Sequence, residues 1–356
     1  MLYERLNPDI LYTALVARDP SYDGRAFVGV TSTGIFCRLT CPARKPLRKN
    51  CQFFETVSDC VNAGFRACKR CHPMTPMADA DPAIIALMNA LENRPHYRWT
   101  ENDIIQMGFD PSTVRRAFKR HFGQTFLEMA RQRRLSESFT TLSDGGRIID
   151  AQIDAGFESA SAFRTAFAKL MGKSPANFAK DAMLKADWNN TPLGPMIAVS
   201  CSKFLHLLEF IDRKALPKEL QKLSQQVRGD IGIGTMPPSE QIREELTDFF
   251  AGKSAEFRTP VAMHGTPFMR SVWRTLREIP AGQTRSYSQI ARTINAPNAV
   301  RAVARANGAN QIALLIPCHR VIGADGSLTG YGGGLWRKQR LIEIETLYNA
   351  TKAPET

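Results

Sequence analysis

The chain has 356 residues, 43% hydrophobic and 23% charged, with 47 Lys and Arg against 34 Asp and Glu for a formal net charge of +13. That length exceeds what one ordinary core organises and predicts two to four domains. The composition is that of a soluble globular protein, and no apolar run approaches the ~18 residues that a membrane span requires.

Charge is spread unevenly: +5 over residues 1–76 and +7 over residues 266–356, against +2 and −1 in the two segments between. Basic ends favour polyanions, which bind with release of counterions. Met1-Leu-Tyr-Glu-Arg5 lacks a basic stretch followed by an apolar one, so no secretory signal is expected. A reducing, cytoplasmic compartment is the expectation, where clustered cysteines mean metal or reactivity more often than disulfides.

Six of the eight cysteines fall in the first 71 residues. Cys37-Arg-Leu-Thr-Cys41 and Cys68-Lys-Arg-Cys71 form a C-x3-C and a C-x2-C pair separated by 26 residues. Each spacing lets two sulfurs converge on one tetrahedral ion, as a zinc site with four thiolates requires. Cys51, Cys60 and His72 are substitute ligands, although Cys51 and Cys60 lack a close-spaced partner and read as packing residues. Arg38, Arg44, Lys45, Arg48, Lys49, Arg66, Lys69 and Arg70 crowd the ligand loops. Zinc with four thiolates carries a formal charge of −2 and keeps its sulfurs electron-rich, so both a structural staple and a nucleophile fit.

Residues 80–180 hold an internal near-repeat. Gly108-Phe-Asp-Pro-Ser112 leads to Arg115, Arg116, Phe118, Phe122 and Gly123, and Gly156-Phe-Glu-Ser-Ala160 leads to Phe163, Arg164, Phe167, Met171 and Gly172. Each copy reads as a short helix, a Gly-Phe turn and an amphipathic helix, the outline of a helix-turn-helix. A helix from Phe126 to Phe139 spaces the copies. Arg115, Arg116, Lys119 and Arg120 make the first copy basic; Arg164 and Lys169 are the cations of the second. The unit resembles the AraC-type transcriptional-regulator domain, which implies recognition helices near 111–121 and 159–169 entering successive major-groove segments.

Near Asp187–Thr191 the composition turns polar and reads as a linker. Met196–Cys201 and Phe204–Ile211 suggest strands, Lys214–Val227 a basic amphipathic segment, and Ser239–Phe250 a helix after the Pro237-Pro238 break. Ser286 reads as a helix cap, and Asn298 as the cap of a second helix through Arg305. On that helix Ala299, Ala302, Val303 and Ala306 make a small-residue face. Either a neighbouring helix or, with Arg301 and Arg305 beside it, a DNA minor groove could meet that face.

The run Ile312–Ile316 reads as a buried strand ending at Pro317, with Cys318-His-Arg320 immediately after. A thiol beside an imidazole and a permanent cation can be held as thiolate, although a free cysteine is more often inert. Adjacent residues on a strand point oppositely, so Cys318 and His319 need a turn or a bridging water to cooperate.

Pro317-Cys-His-Arg-Val321, with Asn307–Asn310 before it and Tyr331-Gly-Gly-Gly-Leu335 after it, closely resembles the methylated-DNA–protein-cysteine methyltransferase family. Gly34-Ile-Phe-Cys-Arg38 and Gly64-Phe-Arg-Ala-Cys-Lys-Arg-Cys71 look like the zinc-binding Ada domain. Together the motifs follow the order of the Ada family over essentially the whole chain. The resemblance implies a multidomain α+β protein. Its parts are a small zinc-bound α/β domain (1–76), an all-α double helix-turn-helix domain (80–182), a ribonuclease-H-like α/β scaffold (190–262) and a C-terminal winged-helix-like methyltransferase domain (266–350).

In function it implies irreversible, single-turnover methyl transfer from O6-methylguanine or O4-methylthymine to Cys318, and from methylphosphotriesters to Cys37. The methylated protein then activates transcription of the adaptive alkylation response. Within that scheme His319 is the base, Glu345 polarises it, Asn310 braces the turn and Tyr287 helps protonate the leaving base. Arg301 fills the gap left by the flipped nucleotide, with Ala302 beside it, and Arg115, Arg116, Lys119, Arg120 and Arg164 meet DNA. One Zn2+ is held by Cys37, Cys41, Cys68 and Cys71. Gly332 falls where several relatives carry a serine that contacts the lesion. Expected partners are double-stranded DNA, both alkylated and promoter, and RNA polymerase, for a monomer associated with the nucleoid and not with membranes. The alternative is a zinc-dependent regulator with a purely structural zinc site and repair only at Cys318.

Overall fold

The computed structural model describes residues 7–19, 22, 26–55, 59–60, 63–71, 73, 82–94, 96–179, 181–324, 326 and 328–351. At the amino-terminal end, α1 (Pro8–Ala17) packs beside a four-stranded sheet of β1 (Phe27–Val30), β2 (Ile35–Arg38), β3 (Cys51–Phe54) and β4 (Arg66–Ala67) in the order β3-β1-β2-β4. β1 pairs antiparallel with β2 and β3, and β4 runs parallel to β2. Val28 lies opposite Cys37 in that register, which fixes the first metal-type cysteine on the central ribbon.

The helical repeat forms as the glycine spacing predicts. α2 (Pro82–Asn93) precedes α3 (Glu101–Gln106) and α4 (Pro111–Phe122); α5 (Phe126–Ser143) then joins them to α6 (Ile148–Asp154) and α7 (Ala160–Met171). α3 starts on a Thr100/Asp103 capping box and α5 on a Thr125/Glu128 capping box. Asp110 and Ser159 cap α4 and α7. Gly123 and Gly172 end those two helices in the left-handed region at φ 73° and 76°, where a side chain would be strained.

A second sheet follows: β5 (Leu184–Asn189), β6 (Met196–Ser200), β7 (Leu205–Phe210) and β8 (Ile231–Ile233) in the order β7-β6-β5-β8, antiparallel except for the parallel β5/β8 pair. α8 (Leu216–Val227) and α9 (Pro237–Phe250) flank it. The two prolines at 237 and 238 form the first turn of α9, where a missing N–H is tolerated. The linker expected at Asp187–Thr191 is overturned. Asp187, Trp188 and Asn189 are buried on β5, because Trp188 packs on Phe139 at 5.2 Å and Asp187 pairs with Arg243 at 2.5 Å.

The sheet's period-two alternation serves two cores. Ile197, Val199 and Leu207 join Phe139 of α5 and Phe163 and Phe167 of the second helix-turn-helix copy in one cluster, while Met196, Ala198, Leu205, Leu208 and Phe210 join the cluster that contains Cys318. Helices and sheet therefore share a continuous apolar interior. Burial of three aromatic rings and the aliphatic face opposite supplies the driving force.

The carboxyl-terminal part comprises α10 (Pro267–Arg277), a parallel pair of β9 (Arg285–Ser286) with β10 (Val321–Ile322), α11 (Tyr287–Thr293), α12 (Val300–Gly308) and α13 (Leu335–Thr351). Ser286 caps α11 in a capping box with Gln289. Asn298 does not cap α12: the cap position is Ala299, with no side-chain hydrogen bond. Val303 and Ala306 of the small-residue face are buried in the core, where α12 packs on α10, so packing claims half of that face. Among the described residues no helix is long and apolar enough to cross a membrane.

Candidate active site and metal centre

The segment before Cys318 is buried as expected, but it is not a strand. Ile312 makes a single bridge to Leu208; a turn then runs through Leu314, which sits in the left-handed region at φ 68° with its side chain 1% exposed. A bulky residue there is strained and persists because the surrounding core dictates it. Asn310 holds the turn: its Oδ1 accepts from Ile312 N at 3.0 Å, and its Nδ2 donates to Ile316 O at 2.8 Å and to Cys318 Sγ at 3.2 Å. Cys318–Arg320 then form a single 3-10 turn, which takes the two side chains off opposite faces of a strand.

His319 and Glu345 meet at 2.8 Å between Nε2 and Oε1, each 1% exposed along its side chain. Glu345 also accepts from Arg320 Nε at 2.9 Å and Nη2 at 2.7 Å and from Gly282 N at 3.1 Å. Burial opposes its charge, yet the His319 and Arg320 contacts prevail and hold it down at about 2, as a carboxylate. Burial lowers His319, so the ring is neutral, with its Nε2–H donated to that carboxylate. His319 Nδ1 is buried and, among the described residues, has no hydrogen-bond partner, which leaves a free lone pair on the residue next to Cys318.

Cys318 is 5% exposed, and burial raises its thiol above the ordinary value despite the Asn310 bond and the charges of Arg213 and Lys338. The adjacent cation that could hold it as a thiolate is engaged elsewhere. Arg320 is turned toward Glu345, and Cys318 rests as a thiol that needs a base.

Tyr287 Oη donates to Thr329 O at 3.4 Å and is raised by burial. Around the loop Tyr331–Gly334, Arg337 donates to Gly333 O at 2.8 Å and to both oxygens of Asp212 at 2.9 Å, and buried Lys338 donates to Val321 O and Thr329 O at 2.5 and 2.6 Å. Sequence reasoning missed Arg337, Lys338 and Arg213, because each looks like one more surface cation of a basic segment, and it placed Arg320 beside the thiol and not on Glu345. Arg213 is 9% exposed and bound to Glu209 at 2.5 Å and Glu219 at 2.8 Å. Its guanidinium lies over Gly332, where an added Cβ would fall 2.3 Å from Nη1.

Arg301 and Arg305 are exposed on α12, with Ala302 half-buried between them. On α4, Arg115 is exposed but paired with Glu101 at 2.5 Å, Arg116 bonds Thr113 Oγ1 at 3.4 Å, and Lys119 and Arg120 are exposed. Arg164 is exposed on α7.

In the amino-terminal unit the sulfurs of Cys37, Cys41, Cys68 and Cys71 all lie within 4.8 Å of one another. A tetrahedron with zinc–sulfur bonds of about 2.3 Å has sulfur–sulfur edges of about 3.8 Å, so the set fits one such ion. Hydrogen bonds from Cys41 and Cys71, then burial, hold Cys37 far above an ordinary thiol, while the same sharing lowers Cys41 to about 2. Four thiolates this close need a cation between them. Backbone N–H groups of Arg38 and Arg70 reach the sulfurs of Cys71 and Cys68 at 3.5 and 3.4 Å.

Cys51 instead donates to Leu47 O at 3.3 Å, and Cys60 is enclosed by Phe27, Phe36 and Phe65, with burial raising it to about 12. His72 lies outside the described residues. Arg38 is 2% exposed and ties down the Cys71 carbonyl at 3.0 Å; Arg48 pairs with Asp9 at 2.9 Å; Arg44, Lys49, Arg66, Lys69 and Arg70 are exposed.

Three families match successive parts of the chain: the metal binding domain of Ada over residues 11–74, a helix-turn-helix domain over 105–181, and the 6-O-methylguanine DNA methyltransferase DNA binding domain over 267–347. The bifunctional transcriptional activator/DNA repair enzyme Ada of Escherichia coli is 33% identical over 349 residues, 96% of this chain and 97% of that one. A methylated-DNA–protein-cysteine methyltransferase of Mycolicibacterium paratuberculosis is 57% identical over 102 residues, 29% of this chain and 62% of that one.

Among solved structures, O6-methylguanine methyltransferase from Mycobacterium tuberculosis aligns at 37% identity over 49% of this chain and 97% of its own, with a TM-score of 0.42. The DNA methyl phosphotriester repair domain of E. coli Ada aligns at 44% identity over 20% and 78%, with a TM-score of 0.19. Matched from end to end and not over one module alone, this chain belongs to the Ada family.

Proposed function

We propose that the chain repairs alkylated DNA at two cysteines and, once methylated at Cys37, activates transcription. The single observation that carries the repair reading is the buried Glu345–His319 pair beside a thiol whose turn Asn310 holds. His319 Nδ1 takes the Cys318 proton, directly or through a water. The sulfur then attacks the methyl carbon of O6-methylguanine or O4-methylthymine: the S–C bond forms, the C–O bond breaks, and the leaving base takes a proton through Tyr287. Extruding the nucleotide costs a few kcal/mol, less at a mispaired lesion. Arg301, with Ala302 beside it, fills the vacated stack. The thioether is stable, so Cys318 acts once.

At the amino-terminal unit Cys37, Cys41, Cys68 and Cys71 hold one zinc ion, which keeps its sulfur ligands electron-rich. Cys37 takes the methyl group of a methylphosphotriester and releases the phosphodiester anion. Its methylation changes the charge of the centre from −2 to −1 and removes repulsion toward the DNA backbone, most strongly at low salt. Arg115, Arg116, Lys119, Arg120 and Arg164 then hold promoter DNA, and RNA polymerase is the partner recruited.

The division into 1–76, 80–182, 190–262 and 266–350 fits these roles, with a ribonuclease-H-like scaffold before a winged-helix-like acceptor domain. The protein works as a cytoplasmic, nucleoid-associated monomer. Labelled-methyl transfer tests the assignment. Cys318→Ala abolishes transfer from O6-methylguanine DNA and keeps transfer from a phosphotriester-only duplex, and Cys37→Ala does the reverse. Phosphotriester transfer that survives Cys37→Ala would leave the metal centre purely structural.

A further inference from the structure

A cleft of about 860 Å³ lies between the helix-turn-helix unit and the loop Tyr331–Gly334. Lys119 of α4, Arg131 of α5 and Lys169 of α7 form one wall, and Arg213 and Lys214 after β7 form the other. Lys119, Arg131, Lys169 and Lys214 are exposed, and among the described residues none has an ion-pair or hydrogen-bond partner for its side chain. The two acids that line the cleft are already engaged: Asp212 by Arg337 at 2.9 Å, and Glu128 by the Thr125 backbone N–H and hydroxyl at 2.9 and 3.0 Å. Four unpaired cations thus face one carboxylate without a cationic partner, Glu128, since Arg337 meets Asp212 and two acids meet Arg213; the concave wall keeps a positive excess that collects polyanions.

The inner end of the cleft is formed by Tyr331 and Gly332, which border the acceptor site. Gly332 admits the Arg213 guanidinium, since a Cβ would stand 2.3 Å from it, and the Tyr331 ring lies edge-on to His319 at 6.5 Å between centroids. Both walls are fixed in place. The core shared by α5, α7 and the second sheet holds them, and Phe122 at the end of α4 packs edge-on against Trp336, just after the glycine loop, at 5.1 Å.

We infer that this cleft seats the sugar–phosphate backbone of the DNA whose damaged nucleotide reaches Cys318. Lys119 and Lys169, although carried by the helix-turn-helix unit, then serve repair as well as promoter reading. The inference rests on the repair reading of Cys318. It gives the promoter-reading unit a second role, in which it supplies phosphate contacts during alkyl transfer at any DNA sequence.

The test uses the full-length, zinc-loaded chain and a short O6-methylguanine duplex without promoter sequence, at sub-saturating DNA, with Lys119, Lys169 and Lys214 replaced together by Gln. Each lost phosphate contact removes about 0.9 from the slope of log affinity against log salt, so three remove about 2.7. Raising salt from about 50 to about 200 mM then slows the wild type about 40-fold more than the variant. The triple Lys→Arg variant keeps the wild-type slope, and Lys253→Gln, on a remote pair with Asp248, leaves it unchanged.

Equal slopes for wild type and the Gln variant overturn the inference, as does a slower variant with an unchanged slope, since a lysine that merely supports the fold would give that result. In acetylation footprinting, DNA protects the three lysines; protection by poly-glutamate but not by DNA reassigns the cleft to an acidic protein. A wild type that transfers no methyl to Cys318 refutes the repair reading itself, a result distinct from all of these.

Discussion

Replacing Glu345 by Gln removes one negative charge from the least accessible part of the acceptor site while keeping the side chain's shape. The carboxylate accepts four hydrogen bonds, from His319, twice from Arg320, and from Gly282, and its neighbours hold it at about 2 against an ordinary 4.5. At about 1.4 kcal/mol per unit, that depression contributes about 3 kcal/mol to stability. The figure agrees with the roughly 3–5 kcal/mol lost when one partner of a buried pair is removed. For an acid with a lowered value, the contribution is present above the ordinary value and disappears as protons bind. The gap between wild type and Glu345→Gln should therefore be full at neutral pH and close as pH falls from 4.5 toward 2.

Urea unfolding followed by tryptophan fluorescence, at neutral and acid pH, measures that gap. The same variant frees His319 to adopt the other tautomer, so methyl transfer to Cys318 should slow by about two to four orders of magnitude. A destabilisation below about 1 kcal/mol that does not vary with pH, together with a transfer rate within about threefold of wild type, would refute the reasoning.

Asn310→Ala should slow transfer and move its pH profile upward, because the lost Nδ2 bond to Sγ favoured the thiolate; it should also cost about 1–3 kcal/mol by leaving buried backbone groups unpaired. Cys41→Ser should reduce the zinc content, read by atomic emission, from one ion per chain to a trace and abolish Cys37 methylation, with Cys318 transfer preserved. Phe139→Ala, which deletes a ring stacked on Phe167 at 5.4 Å and packed on Trp188, should cost about 3–5 kcal/mol. Because the helices and the second sheet share that core, promoter binding and Cys318 transfer should be lost over the same urea range; two separate transitions would contradict the shared interior.

Local chemistry was legible in the chain. The paired cysteine spacings, the two Gly-Phe turns and Pro317-Cys-His-Arg each encode a geometry that few arrangements satisfy, and each appears at its expected place. What was not legible depended on which side of a core a residue faces. Arg320, Arg337 and Lys338 count toward the +7 of the last segment, yet all three are buried against carboxylates or carbonyls. Arg38 looks like a phosphate-binding cation and instead clamps the Cys71 loop.

Polar composition at Asp187–Asn189 suggested a linker, because nothing local reveals that Arg243 and Phe139 wait on either side of that strand. The Ile312–Ile316 run has the apolar content of a strand, but the left-handed Leu314 bends it into the turn that presents Cys318. Arg213 over Gly332 joins residues more than a hundred positions apart, and no local pattern encodes such a pair.

The account stands most directly on the fate of one thiol. Incubating the chain with excess O6-methylguanine DNA and measuring intact and peptide masses should show the gain of one methyl group, on Cys318, with no further repair after that single event. Repair of more than one lesion per chain, or a methyl group found elsewhere while Cys318 stays free, would contradict it.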